Sequence, residues 1–284
     1  MNELELIADL RKIAGKHSLG LNDDCAVFGQ GENTFCITKD ILSSGVHFFA
    51  DDAPFNLARK ALRVNLSDLA AMGAKPFGVL IGVTLPRNTT TEWLNEFNRG
   101  IAADIKEFGF ELLGGDTVYH DAPLVISVTA IGTTPTPILR STAKVGDNIF
   151  VSGKIGAAWL GLQEKKKGIS NEAYELPFPE LALGQKLHGV ANACMDISDG
   201  LLLDLWRMCV ASNVGAELDS KSIPLADPNA NLIAQISGGD DYKLLFTSSQ
   251  ESVEGCYKIG RIVAEKSLKL DEKPIPPKGY EHKS

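Results

Sequence analysis

The chain has 284 residues, 28 Lys+Arg against 36 Asp+Glu, and a net charge of −8, so it lacks the basic surplus that a nucleic-acid binder carries. At 44% hydrophobic and 23% charged it is an ordinary globular composition, long enough for one large or two modest domains. No apolar run approaches the ~18 residues of a membrane span, and the five cysteines (Cys25, Cys36, Cys194, Cys209, Cys256) form no C-x-x-C pair. They read as buried thiols of a cytoplasmic protein rather than a disulfide framework or zinc site.

Leu4, Ile7, Leu10 and Ile13 recur at helical spacing and predict a helix over 3–14, acidic and unlike a secretory leader. Strands follow at 25–28 and 34–41. Pro54 opens a long helix that Gly73 closes. The apolar run 77–85 predicts a buried strand, and Thr89–Thr91 cap a helix that aligns Trp93, Phe97, Ile101 and Ile105. Strands are expected at 110–113, ending in Gly114-Gly115-Asp116, and at 124–131. The turn-rich Gly132–Pro137 reads as an interdomain connection. Beyond it come a strand at 148–152, a helix from Ala157 and a solvated helix end at Lys165-Lys166-Lys167. A helix at 180–191, a strand at 194–197, a helix from Leu201 and strands near 216–218, 243–246 and 257–262 complete the pattern. Strands and helices alternate in both halves, giving a mixed α and β class.

Acid falls at the ends of these strands: Asp23-Asp24, Asp40, Asp116, Asp196 with Asp199, and Asp240-Asp241, while Asp68 lies one turn after Asn65 in the long helix. Taken singly, each aspartate reads as a cap or turn residue, and Ser198 or Asp199 suits the N-cap of the helix beginning at Leu201. Taken together, they point to a metal site. Two unit charges ~4 Å apart repel by about 4 kcal/mol at an effective dielectric near 20. Divalent cations relieve that, and an all-oxygen set favours Mg²⁺ shared with substrate phosphates. The expected chain is therefore acidic pocket, several Mg²⁺ ions, then nucleotide. No P-loop or protein-kinase motif is present. Val151–Gly156 could seat an anion at a helix N-terminus, although such a segment is more often a tight turn than a phosphate site.

The stretches N-D-D-C-A-V (22–27), T-K-D-I-L-S-S-G-V-H-F (38–48) and K-A-L-R-V-N-L-S-D-L-A-A-M-G-A-K-P (60–76) resemble the thiamine-monophosphate kinase family. So do L-L-G-G-D-T (112–117), M-D-I-S-D-G-L (195–201) and S-G-G-D-D-Y (237–242), in the family's order and over nearly the whole length. The wider superfamily includes aminoimidazole ribotide synthetase. The resemblance implies an α+β (mixed α/β) two-domain fold, with an N-terminal domain over 1–134 and a C-terminal α/β domain over 135–284. N-terminal domains would pair in a homodimer around a shared β-barrel. The implied reaction is ATP-dependent phosphorylation of thiamine monophosphate to thiamine diphosphate.

By motif position, the resemblance assigns the metal ions to Asp24, Thr38, the backbone of Lys39, Asp40, Asp68, Asp116, Asp196 and Asp199. Asp24, Asp40, Asp68, Asp116 and Asp196 would form the catalytic set. Gly115, Asp116, Arg140 and Ser198 would touch ATP, and His47, Asp240 and Tyr280 the thiamine phosphate. Asn22, Lys39, Asp240 and the arginine-free Pro177–Glu180 segment depart from the family pattern. They motivate two alternatives: a catalytically weakened nucleotide-binding relative, or a superfamily enzyme acting on another small acceptor.

Overall fold

The computed structural model describes residues 3–29 and 34–281. After helix α1 (Glu3–Arg11), the strands of the described residues form two sheets. The first combines β1 (Ala26–Phe28), β2 (Thr34–Ser43), β3 (Lys75–Pro86), β4 (Glu111–His120) and β5 (Val125–Thr134), in the order β1-β2-β5-β3-β4. All its pairings are antiparallel except β3 with β4, which are joined in parallel through a helical crossover. Helices α2 (Pro54–Ala71) and α3 (Thr91–Phe108) lie between its strands in sequence. The sheet is open, with β1 and β4 at its edges, so no barrel closes among the described residues.

The second half contains β6 (Asn148–Val151), α4 (Ala157–Lys165), α5 (Glu172–Glu175), α6 (Leu181–Lys186), β7 (Ala193–Asp196) and α7 (Leu201–Ser212). It continues with β8 (Gly215–Leu218), α8 (Leu232–Ile236), β9 (Leu244–Ser248), β10 (Tyr257–Val263), β11 (Leu268–Leu270) and β12 (Lys273–Pro274). Its sheet runs β12-β11-β8-β10-β6-β9-β7.

The long helix α2 is the element both halves share. Pro54 fits its first turn, where no backbone donor is lost, and Gly73 leaves the helix at φ +67°. Leu57, Leu62, Leu66 and Leu69 are all buried, because α2 packs on β2 and β5, on α3, and on α6 and β7 of the second half. A buried ion network fixes α2 to α3. Asp104 is fully buried and accepts from Arg59 Nε at 2.7 Å and Arg63 Nε at 2.9 Å, while Glu107 accepts from both guanidinium groups. Replacing Asp104 by Ala leaves Arg59 and Arg63 with the half-exposed Glu107 as their shared acidic partner, so urea denaturation is expected to show a loss of about 3 kcal/mol.

Several elements differ from the sequence expectations. β4 does not end at Gly114-Gly115-Asp116 but runs through to His120. Its approach to β3 is so close that a Cβ on Gly115 would lie 1.9 Å from the Ile81 carbonyl oxygen, so the glycine permits the pairing rather than ending the strand. Asp40 likewise lies within β2 instead of at its end. Helix α7 has Gly200 at its N-cap without a side-chain bond; Asp204, in the first turn, accepts from the Asp199 and Gly200 amides instead. Lys165 is not solvated: its side chain is 12% exposed and its ammonium pairs with Asp52 at 2.6 Å and Glu175 at 2.8 Å. Helices α5 and α8 and strands β11 and β12 are too short for periodicity to mark. The Val151–Gly156 segment does precede a helix, but the seat there is filled from within, since Asp241 accepts from the Gly156 and Ala158 amides at 2.7 and 3.2 Å.

Candidate active site

Three carboxylates meet where β1, α2 and β7 converge. Asp24 precedes β1, Asp68 lies in the last turn of α2, and Asp196 ends β7; their ligating oxygens all lie within 4.8 Å of one another. Alternation along β2 turns Thr38 and Asp40 toward α2 and leaves Lys39 on the opposite, exposed face. Thr38 Oγ1 donates to Asp68 Oδ2 at 2.5 Å, and the Asp40 amide donates to Asn65 Oδ1 at 3.0 Å. Ser67 Oγ donates to Asp196 Oδ2 at 2.6 Å, which ties α2 to the second sheet at the cluster itself. Lys39 Nζ instead donates to Ser127 and Thr129 on β5, so only its backbone remains on the cluster side.

Burial dominates the electrostatics. It pushes the Asp68 carboxyl well above the usual range, reinforced by Asp40, Asp196 and Asp24 and partly opposed by the Thr38 hydroxyl. Burial and Asp24 raise Asp196 similarly, and burial followed by Asp199 and Asp24 moves Asp40 to about 6. Asp24 is raised by burial and lowered by Arg140, whose guanidinium pairs with it. Asp23 is carried to about 7 by burial and by Asp24. One oxygen of the trio, Asp24 Oδ2, is buried and has no hydrogen-bond partner. Three converging carboxylates with an unpartnered buried oxygen fit a hard divalent cation.

Beside the cluster lies a cavity of about 300 Å³. α2 contributes Lys60 and Val64; the segment after β7 contributes Ser198 and Asp199; the turn before β9 contributes Gly239, Asp240 and Tyr242. His47, Trp159, Tyr174 and Tyr280 complete the wall. Lys60, Val64 and Asp68 form one stripe of α2, so the cavity and the carboxylates are offset by ~12 Å along a single helix. Asp240 and Tyr242 hold left-handed backbone conformations, φ +66° and +48°, that side chains other than glycine rarely adopt. Gly239 lets this turn approach Ser198, since a Cβ there would come within 2.4 Å of the Ser198 carbonyl oxygen.

Most of the sequence-derived residues gather here. Asp24, Thr38, Asp40, Asp68 and Asp196 surround the cluster, while Ser198, Asp199, His47, Asp240 and Tyr280 line the cavity. Arg140 stands at the cluster with its amide and guanidinium directed to Asp23 and Asp24. Asp116 is not brought to this cluster within the chain. Asp40 pairs with Val128, Val128 with Ile81, and Ile81 with Gly115, so three strand spacings, about 14 Å, separate them. Gly115 and Asp116 line another cavity, of about 620 Å³, between β3, β4 and α3.

Sequence reasoning passed over Ser67, Lys60, Tyr174, Asp204 and Arg207. Arg207 pairs with Asp199 and, at 2.8 Å, with Asp204, fixing the loop after β7. Ser67 was within reach, since it adjoins Asp68 in the same N-L-S-D run; Arg207 carried no such signal.

An open five-stranded sheet and a mixed seven-stranded sheet with an acidic junction between them are carried by a chain of the AIR synthase related class. The AIR synthase related protein N-terminal domain matches residues 22–134 and the C-terminal domain matches 144–273. Within that class, the chain belongs to the thiamine-monophosphate kinase family. It is 39% identical over 249 residues to the thiamine-monophosphate kinase of Caulobacter vibrioides, covering 80% of this chain and 70% of that protein. The Escherichia coli K12 thiamine-monophosphate kinase is 36% identical over 247 residues, covering 81% and 76%. The solved structure "AaThiL complexed with AMPPCP and TMP" superposes with a TM-score of 0.93 at 29% identity, covering 99% of this chain and 97% of that one.

Proposed function

We propose that this protein phosphorylates thiamine monophosphate to thiamine diphosphate with ATP as co-substrate. The observation that carries the reading is the buried carboxylate trio opening onto an aromatic, acid-lined cavity, in a chain of this family. Asp24, Asp68 and Asp196 would hold Mg²⁺, with Thr38, Asp40, the Lys39 carbonyl and Asp199 beside them. Bound there, Mg²⁺ would neutralise phosphate oxygens so that two phosphorylated reactants can approach.

The chain's own residues do the rest. Arg140, paired with Asp24 at the cluster, and Ser198, on the cavity wall, would contact nucleotide phosphates, Arg140 as a fixed positive fork. Asp240, 30% exposed at its side chain, faces the cavity and suits the cationic thiazolium; Tyr174, Trp159 and Tyr280 give that ring apolar walls that exclude water. No general base is required, because the accepting phosphate oxygen is already ionised near pH 7. Catalysis is then positioning and charge neutralisation. Of the family departures, Lys39 turns its side chain away from the cluster, and Asn22 accepts from Arg11 at 2.5 Å.

The reading includes a homodimer and a domain boundary between Thr134 and Pro135, where β5 ends. Leu112, Leu113, Val118 and Tyr119 on edge strand β4, with Phe77 and Leu80 on β3, are exposed large hydrophobics, as an unpaired contact face would be. A second copy packed there would place Gly115 and Asp116 at the interface and offers their route to a nucleotide. A cytoplasmic location is supported by five free cysteines. Chromatographic detection of thiamine diphosphate from thiamine monophosphate and Mg-ATP tests the function; ATP binding without that product overturns it. Light scattering is expected to give twice the 30.5 kDa chain mass, and Tyr119→Lys to shift it toward a single chain.

A further inference from the structure

The acceptor cavity contains a cation that the function proposed above leaves without a role. Lys60 is 3% exposed, and its Nζ lies 3.7 Å from the centroid of the Tyr174 ring. The ammonium donates to the His47 carbonyl oxygen at 3.1 Å and to Asp240 Oδ2 at 3.4 Å. Tyr174 Oη donates to the same His47 carbonyl at 3.1 Å. One buried charge thus gathers the loop after β2, helix α5 and the strained turn before β9. His47 is held from the other side too, since its Nδ1 accepts from the Ser43 amide at 3.0 Å.

A fully buried ammonium is expensive, and an apolar residue of similar size would pack α2 at lower cost. Its partners are the two groups that the family resemblance assigns to the substrate, His47 through its backbone and Asp240 through its carboxylate. We infer that Lys60 is the positioning residue of the acceptor site. It fixes the His47 loop against Asp240 before substrate arrives, so a cationic ring meets an oriented carboxylate and an aromatic wall already in place. Lys60 also offsets part of the negative charge of Asp40, Asp199 and Asp240, which share this cavity. The inference rests on the proposed function only for the identity of the acceptor; the tethering is independent of it.

The test compares wild type, Lys60→Met and Tyr174→Phe by steady-state kinetics and by amide hydrogen exchange. Lys60→Met is expected to raise KM for thiamine monophosphate by about 10–100-fold while KM for ATP stays within about 2-fold, the range for losing hydrogen bonds to a charged group. Amides of residues 44–49 should exchange about 10-fold faster, with those of β3 unchanged. Tyr174→Phe, which removes one of the two donors to the His47 carbonyl, should give the same pattern at smaller amplitude and serves if Lys60→Met does not fold. Unchanged exchange over 44–49 in the variants overturns the inference, as does an equal rise of both KM values. If wild type makes no thiamine diphosphate, the proposed function falls, and the exchange result alone decides the role of Lys60.

Discussion

Asp68→Asn is expected to abolish turnover while making the cation-free protein more stable. The substitution keeps volume nearly constant and keeps an oxygen able to accept from Thr38 Oγ1, but removes the carboxylate that Asp40, Asp196 and Asp24 oppose. Activity should fall about a thousand-fold or more, the scale of losing a group that neutralises transition-state charge. Relieving the burial and repulsion that hold the Asp68 carboxyl well above its ordinary range is expected to raise Tm. Kinetics with Mg-ATP and calorimetry in chelator check the two halves. Wild-type turnover would remove Asp68 from the site, and a lowered Tm would show that the trio is not repulsive. Function here is maintained against stability, as is common where like charges are gathered for chemistry.

The second large effect is on pH. Burial raises Asp23 and Asp204 to about 7 and Asp40 to about 6, above the values these groups have in an unfolded chain. Between pH ~4 and ~7 the folded state therefore binds more protons than the unfolded one, and the slope of stability against pH is negative. The contribution is complete below pH ~4 and is lost as pH rises through 6 and 7. Calorimetry in chelator is expected to show Tm falling by several degrees from pH 5 to pH 8, the reverse of the usual carboxylate behaviour. Adding Mg²⁺ at pH 8 should restore it, since protons and cations compete for the same oxygens. A Tm that climbs over this range without cation would contradict the carboxylate assignment. The surface carboxylates whose protons are held more weakly, Glu251 and Glu265 beside lysines, act only below this window.

What could be read from the sequence was local. The stripe of α3 follows from periodicity and the Pro54 start and Gly73 exit of α2 from backbone preference, and the Asp23-Asp24 and D-x-S-D runs mark the loops that carry acid. Partner choice was not local. Nothing near Lys165 announces Asp52, 113 residues earlier, so a basic run at a helix end reads as solvated although its first lysine is buried between two acids. Nothing beside Lys60 in the sequence announces the His47 loop or Asp240, yet α2 is packed by both halves of the chain. Asp116 stands apart for a third reason. The glycines before it read as a strand end, whereas they permit close pairing with β3 and carry the strand three spacings from Asp40. Its motif resembles the family's, but the distance is set by sheet order, which a motif does not encode.

The most direct measurement is a crystal of the protein grown with Mn²⁺, a non-hydrolysable ATP analogue and thiamine monophosphate, read by anomalous scattering. The predicted result is manganese bound by Asp24, Asp68 and Asp196, lying between the nucleotide phosphates and the phosphate of a thiamine moiety seated against Asp240. Manganese absent from those three carboxylates while both ligands are bound elsewhere would contradict the account.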